Sequence, residues 1–206
     1  MKLITKYFPE ISQDQLGKIE QLQPVYKEWN SKVNLISRND FQHFYERHVL
    51  HSLTIARYIQ FPSGSKVLDA GTGGGFPGIP LAIFYPETHF HLVDSIGKKI
   101  HAVSNIVSQL NLNNVSTSCT RVENIRGRYN YVVSRAVAPL EKMIEFTAHL
   151  LVAGKTSEPR PGIIYLKGGD TSAELKKINW LYRIYYLNEV FNEEYFETKV
   201  LIHLYP

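Results

Sequence analysis

The spacing of apolar residues changes character once along this chain of 206 residues, near position 64. Before that point the period is helical. Leu16, Ile19, Leu22, Tyr26, Trp29 and Val33 recur at intervals of three and four, which places them on one face of a helix. Ser12 followed by Gln15 supplies the pair that forms a capping box, so the helix is predicted to begin there. Pro24 has no amide hydrogen and is expected to kink or split it near Gln23. A second helical region is predicted over 41–59, with Phe44, Val49, Leu50, Leu53, Ile55 and Ala56 as its packing face. Phe61-Pro62-Ser63-Gly64-Ser65 then breaks the pattern.

Beyond the break, short apolar runs alternate with helical ones. Strands are predicted over 66–69, 89–93, near Val115, at Tyr131-Val132-Val133 and over 163–166, with helices over 79–84, 95–110 and 140–151. In the helix over 95–110, Ile96, Ile100, Val103, Val107 and Leu110 share a face. Alternation of this kind builds a parallel sheet covered by helices. The β-rich runs over 183–187 and 198–204, separated by Asn192-Glu193-Glu194, suit an antiparallel pair at a sheet edge. The stretch 154–162, with two prolines, is expected to be a loop. The expectation is one domain over 1–206, with a helical extension over 1–62 and an α/β core over 63–206.

Composition narrows this only a little. At 44% hydrophobic and 20% charged residues, the chain can bury a full core without disulfides or metals. A single cysteine, Cys119, excludes an internal disulfide and is expected to be a buried thiol. No apolar stretch approaches the length of a membrane span and no signal-peptide core is visible, so a cytoplasmic location is expected. The net charge of +4 is a mild argument for an anionic partner, and the placement of the charges matters more.

The densest chemical signal is Val67-Leu68-Asp69-Ala70-Gly71-Thr72-Gly73-Gly74-Gly75-Phe76-Pro77-Gly78, an apolar strand opening into a glycine-rich turn. No Gly-Lys-Ser/Thr follows, which excludes a phosphate loop. Phe76 stands at the third glycine position of the dinucleotide fingerprint, which argues against that class too. The remaining G-x-G-x-G after an acidic residue resembles the first motif of S-adenosylmethionine methyltransferases. Asp94 follows the second strand, 25 residues after Asp69, where a carboxylate can accept hydrogen bonds from a ribose diol; capping of the next helix is the alternative, and Ser95 could serve that cap equally well. Glu123 follows the third strand, beside the place for an adenine, with Val122 as an apolar wall. Trp29, at helical spacing, reads as a packing residue. His89 and His91 share a strand face without a third ligand, and His43 with His48 lacks the H-E-x-x-H arrangement, so no metal is expected.

The resemblance becomes specific when the motifs are taken together. Asp69-x-Gly71-Thr72-Gly73-x-Gly75-Phe76-Pro77-Gly78-Ile79-Pro80-Leu81, Leu92-Val93-Asp94-Ser95-x-x-Lys98-Lys99, Arg121-Val122-Glu123 and Ser134-Arg135-Ala136 resemble the bacterial 16S ribosomal RNA guanine-N7 methyltransferases. Trp29-Asn30-x-x-x-Asn34-Leu35, Arg47-His48-x-x-x-Ser52-Leu53 and Leu166-Lys167-Gly168 extend the likeness from Trp29 to Gly168. His51 departs from it, because Asp often precedes the serine in that family, and the loop over 154–162 looks enlarged.

The resemblance implies a Rossmann-like class I fold with a mostly parallel sheet, an antiparallel C-terminal strand and an N-terminal helical extension. It implies S-adenosylmethionine as cofactor, held by Asp69, Gly71, Thr72, Gly73, Gly75, Phe76, Asp94, Ser95, Val122, Glu123 and Arg135, with Asp69 organising the turn or facing the cationic end of the cofactor. The substrate it implies is N7 of a guanine in the decoding-region loop of 16S ribosomal RNA, in the small subunit or an assembly intermediate. Arg135 is the expected orienting residue of catalysis, held by an acid or by the methionine carboxylate, and no general base is expected. Arg47, His48, Lys98, Lys99 and Lys167 are the expected RNA contacts, with Arg121, Arg126 and Arg128 as further cations nearby. A monomer without an obligate protein partner is expected.

Overall fold

The computed structural model describes residues 1–152 and 159–206, so most of the loop expected over 154–162 lies outside the described residues. The chain opens with α1 (Lys2–Tyr7) and α2 (Gln13–Lys32). Ser12 and Gln15 form the capping box, each side chain accepting from the other's backbone amide, at 3.2 and 2.9 Å. Pro24 does not split α2. Its missing amide would leave the Glu20 carbonyl without a donor, and the Tyr45 hydroxyl, 3.0 Å away, supplies one from the neighbouring segment.

The helical region expected over 41–59 is divided. A short α3 (Arg38–Phe41) is followed by a π-helical segment, Phe44–Leu50, which runs into α4 (His51–Tyr58). Its packing residues are buried as the spacing predicts. The wider π winding carries Arg47 and His48, and such segments recur at functional sites.

The core then alternates through β1 (Lys66–Ala70), α5 (Gly78–Phe84), β2 (His89–Asp94), α6 (Gly97–Gln109), β3 (Val115–Cys119), β4 (Tyr131–Arg135), α7 (Leu140–Thr147), β5 (Gly162–Gly168), α8 (Ser172–Leu175), β6 (Leu181–Tyr186) and β7 (Lys199–Tyr205). Among the described residues these strands form one sheet in the order β3-β2-β1-β4-β5-β7-β6. The first five strands pair in parallel, and β7 inserts antiparallel between β5 and β6. The apolar alternation within each strand feeds two layers. Val67 and Val133 join α2, α4, α5 and α6 on one face, while Leu68 and Val132 join Leu140 and Met143 of α7 on the other.

Three local expectations are corrected. Ile96 is 48% exposed, because α6 starts at Gly97 and Ile96 is still extended, off the helical face. Cys119 is exposed, because it ends the outermost parallel strand. The helix expected over 140–151 closes at Thr147 and tightens into a 3-10 turn, Ala148–Leu150.

Candidate functional site

Strand order reverses at β1, which has β2 on one side and β4 on the other. Ligands of open α/β sheets bind beyond the strand ends at such a switch point. Here the glycine turn leaves β1 and is tied down by Asp69, which is fully buried. Its Oδ2 accepts from the Thr72 hydroxyl at 2.6 Å and from the Gly78 amide at 2.8 Å, while Oδ1 is buried without a partner. Burial outweighs these bonds and the Arg135 charge, and pushes the carboxyl up to about 7. Two glycines are sterically required. Gly75 has φ +93, and a Cβ there would meet the Ile79 Cδ1 at 2.7 Å and the Tyr26 hydroxyl at 2.8 Å; at Gly78 it would meet Asp69 Oδ2 at 2.6 Å.

In front of the turn lies a crevice of about 400 Å³. Asp94 marks its β2 side: Oδ2 accepts from the Gly73 amide and Oδ1 from the Ile96 amide, both at 2.9 Å. Each oxygen retains a lone pair for a diol. Gly71, Gly73, Ser95 and Lys99 line the polar wall, and Glu123 closes the β3 side. Val122, Val137, Met143 and Phe146 form the apolar wall, suited to a flat aromatic base. The size and this division fit a nucleoside carrying a polar tail.

Of the residues expected around the cofactor, Gly71, Gly73, Asp94, Ser95, Val122 and Glu123 meet in this crevice. Asp69, Thr72, Gly75 and Phe76 do not line it. They are buried behind the turn and shape it from the core side, as expected of Asp69 in organising the turn. Lys99, an expected RNA contact, also lines the crevice wall, because the first turn of α6 faces the turn after β1. Sequence reasoning missed Val137, Met143 and Phe146. The last two are three residues apart on amphipathic α7, a pattern indistinguishable from core packing.

A second pocket, of about 340 Å³, opens on the other side of the segment after β4. Ala136 lines it, while the adjacent Val137 lines the crevice. Arg135 sits here with Arg47, His48 and Lys167, together with His51, Tyr195 and Lys199, which sequence reasoning did not select. Lys199 arrives through the antiparallel register that pairs it with Gly168, a partnership no local motif announces.

No acid among the described residues holds Arg135, which leaves the methionine carboxylate as the expected partner. Its guanidinium donates to the Arg47 carbonyl at 3.2 Å and lies 3.1 Å from His48 Nδ1, with the Phe76 ring 5.2 Å away. Because a guanidinium only donates, His48 must accept at Nδ1 and carry its proton on Nε2. Burial, followed by the Arg135 charge, holds His48 down to about 3, so the imidazole is neutral. His51, wholly buried beside Tyr195, is also held well below the ordinary histidine range by burial. Arg47 pairs with Asp40 at 2.9 Å, and Lys167 pairs with Glu174. Lys98 stands apart on the exposed start of α6.

The remaining expected cations are less free than their charge suggests. Arg126 and Arg128 donate to backbone carbonyls, Arg128 to that of His149 at 2.7 Å, whereas Arg121 edges the crevice. Both nitrogens of His91 are engaged, with the Tyr129 hydroxyl at 2.6 Å and the Ser118 hydroxyl at 2.7 Å. Trp29 is half-buried, its ring edge-on to His101 and capped by Lys32.

The sheet order and the glycine turn facing an acidic residue after β2 define the class I S-adenosylmethionine methyltransferase fold. A methyltransferase from Aquifex aeolicus described as S-adenosylmethionine-dependent superposes with a TM-score of 0.58 at 13% identity, covering 82% of this chain and 98% of that one. The magnesium protoporphyrin IX methyltransferase of Synechocystis, solved with S-adenosylmethionine bound, gives 0.54 at 18% identity, covering 77% and 76%. At these identities the likeness concerns the fold. Sequence goes further: the model of the family described as rRNA small subunit methyltransferase G matches residues 15–198, and the chain belongs to that family. Its relative of that name from Christiangramia forsetii is 47% identical over 204 residues, 99% of this chain and 96% of the relative. One from Bacteroides fragilis, strain ATCC 25285, is 45% identical over 204 residues, covering 99% of both chains.

Proposed function

We propose that this protein transfers the methyl group of S-adenosylmethionine to N7 of a guanine in small-subunit ribosomal RNA. The observation that carries the reading is the pair of pockets flanking one short segment: a nucleoside-sized crevice on the Val137 side and a cationic pocket on the Ala136 side. A cofactor and a polyanionic acceptor placed in them would meet across residues 135–137. When bound, the cofactor supplies an electrophilic methyl group on a sulfonium. Gly71, Gly73 and Asp94 would hold its ribose and tail, and Val122, Val137, Met143 and Phe146 would enclose its base.

Guanine N7 has an available lone pair and no proton to lose, so the chain need supply no general base. His48, whose basic Nδ1 is taken by Arg135 and whose pKa is held down to about 3, and the absence of a carboxylate against Arg135 among the described residues agree with that requirement. The work left to the protein is alignment and exclusion of water, in which proximity and orientation carry the rate. Arg135, fixed by the Arg47 carbonyl and by His48, is placed to orient an acceptor rich in lone pairs, such as the O6 and N7 edge of guanine or a phosphate. Lys199 adds positive charge at the same mouth, where Arg47 and Lys167 are paired with Asp40 and Glu174, and Lys98 is a further exposed cation on α6. Phosphate contacts of this kind position an RNA without reading its sequence.

Calorimetric titration tests the cofactor half of the reading. Saturable binding of S-adenosylhomocysteine with no binding of NAD is expected; the reverse would move the protein to another class. Filter binding to 16S ribosomal RNA tests the acceptor half, with affinity falling as salt rises. Affinity independent of salt would count against the cationic pocket as the RNA entry.

A further inference from the structure

Tyr26 belongs to the helical extension, not to the α/β core, yet its side chain packs against the back of the glycine turn, beside Leu35 of the same extension. It is completely buried, and its hydroxyl donates to the Gly74 carbonyl at 2.7 Å. The hydroxyl also occupies the space a Cβ on Gly75 would need. The Tyr26 ring packs on Phe76 and Phe44, with centroids 5.0 and 5.3 Å away, and Phe76 in turn carries Arg135 and His48 on its other contacts. Through Tyr26, helix α2 therefore reaches the back of both pockets, and it contributes no residue to the crevice wall.

We infer that Tyr26 is a positioning residue for the cofactor: it holds the Gly74 carbonyl inward, so that Gly71 and Gly73 are already arranged when the cofactor arrives. The physical basis is the accounting of buried backbone polar groups. Gly74 is buried, and its carbonyl has the Tyr26 hydroxyl as a partner. Without that donor the carbonyl is satisfied best by turning toward water, which takes the flanking glycines with it. Glycines with positive φ on either side, Gly73 at +57 and Gly75 at +93, resist such rotation weakly. A turn that is binding-competent only part of the time weakens apparent affinity by the competent fraction. Burial keeps the phenol protonated, far above its ordinary range, so the donor persists at every working pH.

The inference rests on the reading of the crevice as the cofactor site, and the test separates the two. Tyr26→Phe keeps the ring and removes only the hydroxyl. Tyr85→Phe is the control, since it too removes a hydroxyl donating to a backbone carbonyl, that of Ile59 at 2.9 Å, away from the turn. In titrations with S-adenosylhomocysteine, Tyr26→Phe should weaken binding about tenfold, with Tyr85→Phe unchanged at a similar loss of Tm. In methyl-transfer assays the same variant should raise the cofactor KM far more than the RNA KM. In the wild type, S-adenosylhomocysteine should slow hydrogen exchange in α2 around Tyr26, although α2 does not line the crevice.

Failure of the wild type to bind S-adenosylhomocysteine removes the cofactor reading and this inference together. Wild-type binding with an unchanged Tyr26→Phe affinity, an equal loss in Tyr85→Phe, or no exchange protection in α2 overturns the inference and leaves the reading standing.

Discussion

Replacing Asp69 with asparagine removes a buried ionisable group from the core, and its effect on stability should depend strongly on pH. The carboxyl is fully buried, one oxygen has two donors and the other has none. Burial raises it from 3.8 to about 7, so the folded chain holds this proton more tightly than the unfolded chain does. The stability contributed by protonated Asp69 is fully present below about pH 3.8 and is lost as pH rises through about 7. At pH 8 that separation corresponds to a ceiling of about 4 kcal/mol. In the variant the amide oxygen can accept from Thr72 and Gly78, while its NH2 takes the unpartnered side and gives back about 1–2 kcal/mol. Urea unfolding of both proteins without cofactor, followed by fluorescence of Trp29 and Trp180, gives the difference in stability directly. That difference should grow by about 2–4 kcal/mol in favour of Asp69→Asn between pH 4.5 and pH 8. Titrations common to both proteins cancel in it. A difference that stays flat, or that shrinks with rising pH, would refute the account of Asp69 as a buried carboxyl with one orphaned oxygen.

Three further outcomes follow from the same geometry. His48, held down to about 3, contributes stability that is present above its unfolded pKa of 6.5 and lost as pH falls toward 3; His48→Gln should be less acid-sensitive by about 2 kcal/mol between pH 7 and pH 5, and parallel stability curves would contradict this. Gly75→Ala forces a side chain into φ +93 against Ile79 and Tyr26 and should cost about 2–4 kcal/mol in urea unfolding along with cofactor affinity; wild-type stability would show that the turn is not packed as described. Arg135→Ala should slow methyl transfer about a hundredfold or more while changing S-adenosylhomocysteine affinity by less than about threefold, because Arg135 lines the second pocket; unimpaired transfer would exclude it as the orienting group.

What the sequence displayed clearly was whatever local spacing controls. The periodicities of 16–33 and 66–166 place the helices and parallel strands because burial repeats with the winding of each element, and Asp94 stands out because it ends a strand. Residues brought together by register or crossing were hidden. Lys199 reaches the second pocket through pairing with Gly168, Tyr195 reaches it through a 3-10 turn, and Tyr45 rescues the carbonyl exposed by Pro24 from 25 residues away. The glycine motif named the turn correctly but not which side of it each residue faces. Asp69 was legible as an organiser of the turn, whereas Thr72 and Phe76 share the signature with Gly71 and Gly73, and only the fold shows that they support the turn from behind. Ile96 misled because one apolar residue at the right interval lay just before the helix began.

The proposed reaction is at a defined atom, N7 of one guanine. The most direct measurement supplies the purified protein with radiolabelled S-adenosylmethionine and three substrates: naked 16S ribosomal RNA, a partly assembled small-subunit particle and the intact subunit, each lacking the native modification. The modified base is then mapped by nuclease digestion and mass spectrometry. The account predicts label in at least one of the three, confined to N7-methylguanine at a single position in the decoding-region loop. Label at a different atom, on a protein component, or on none of the three substrates would contradict it.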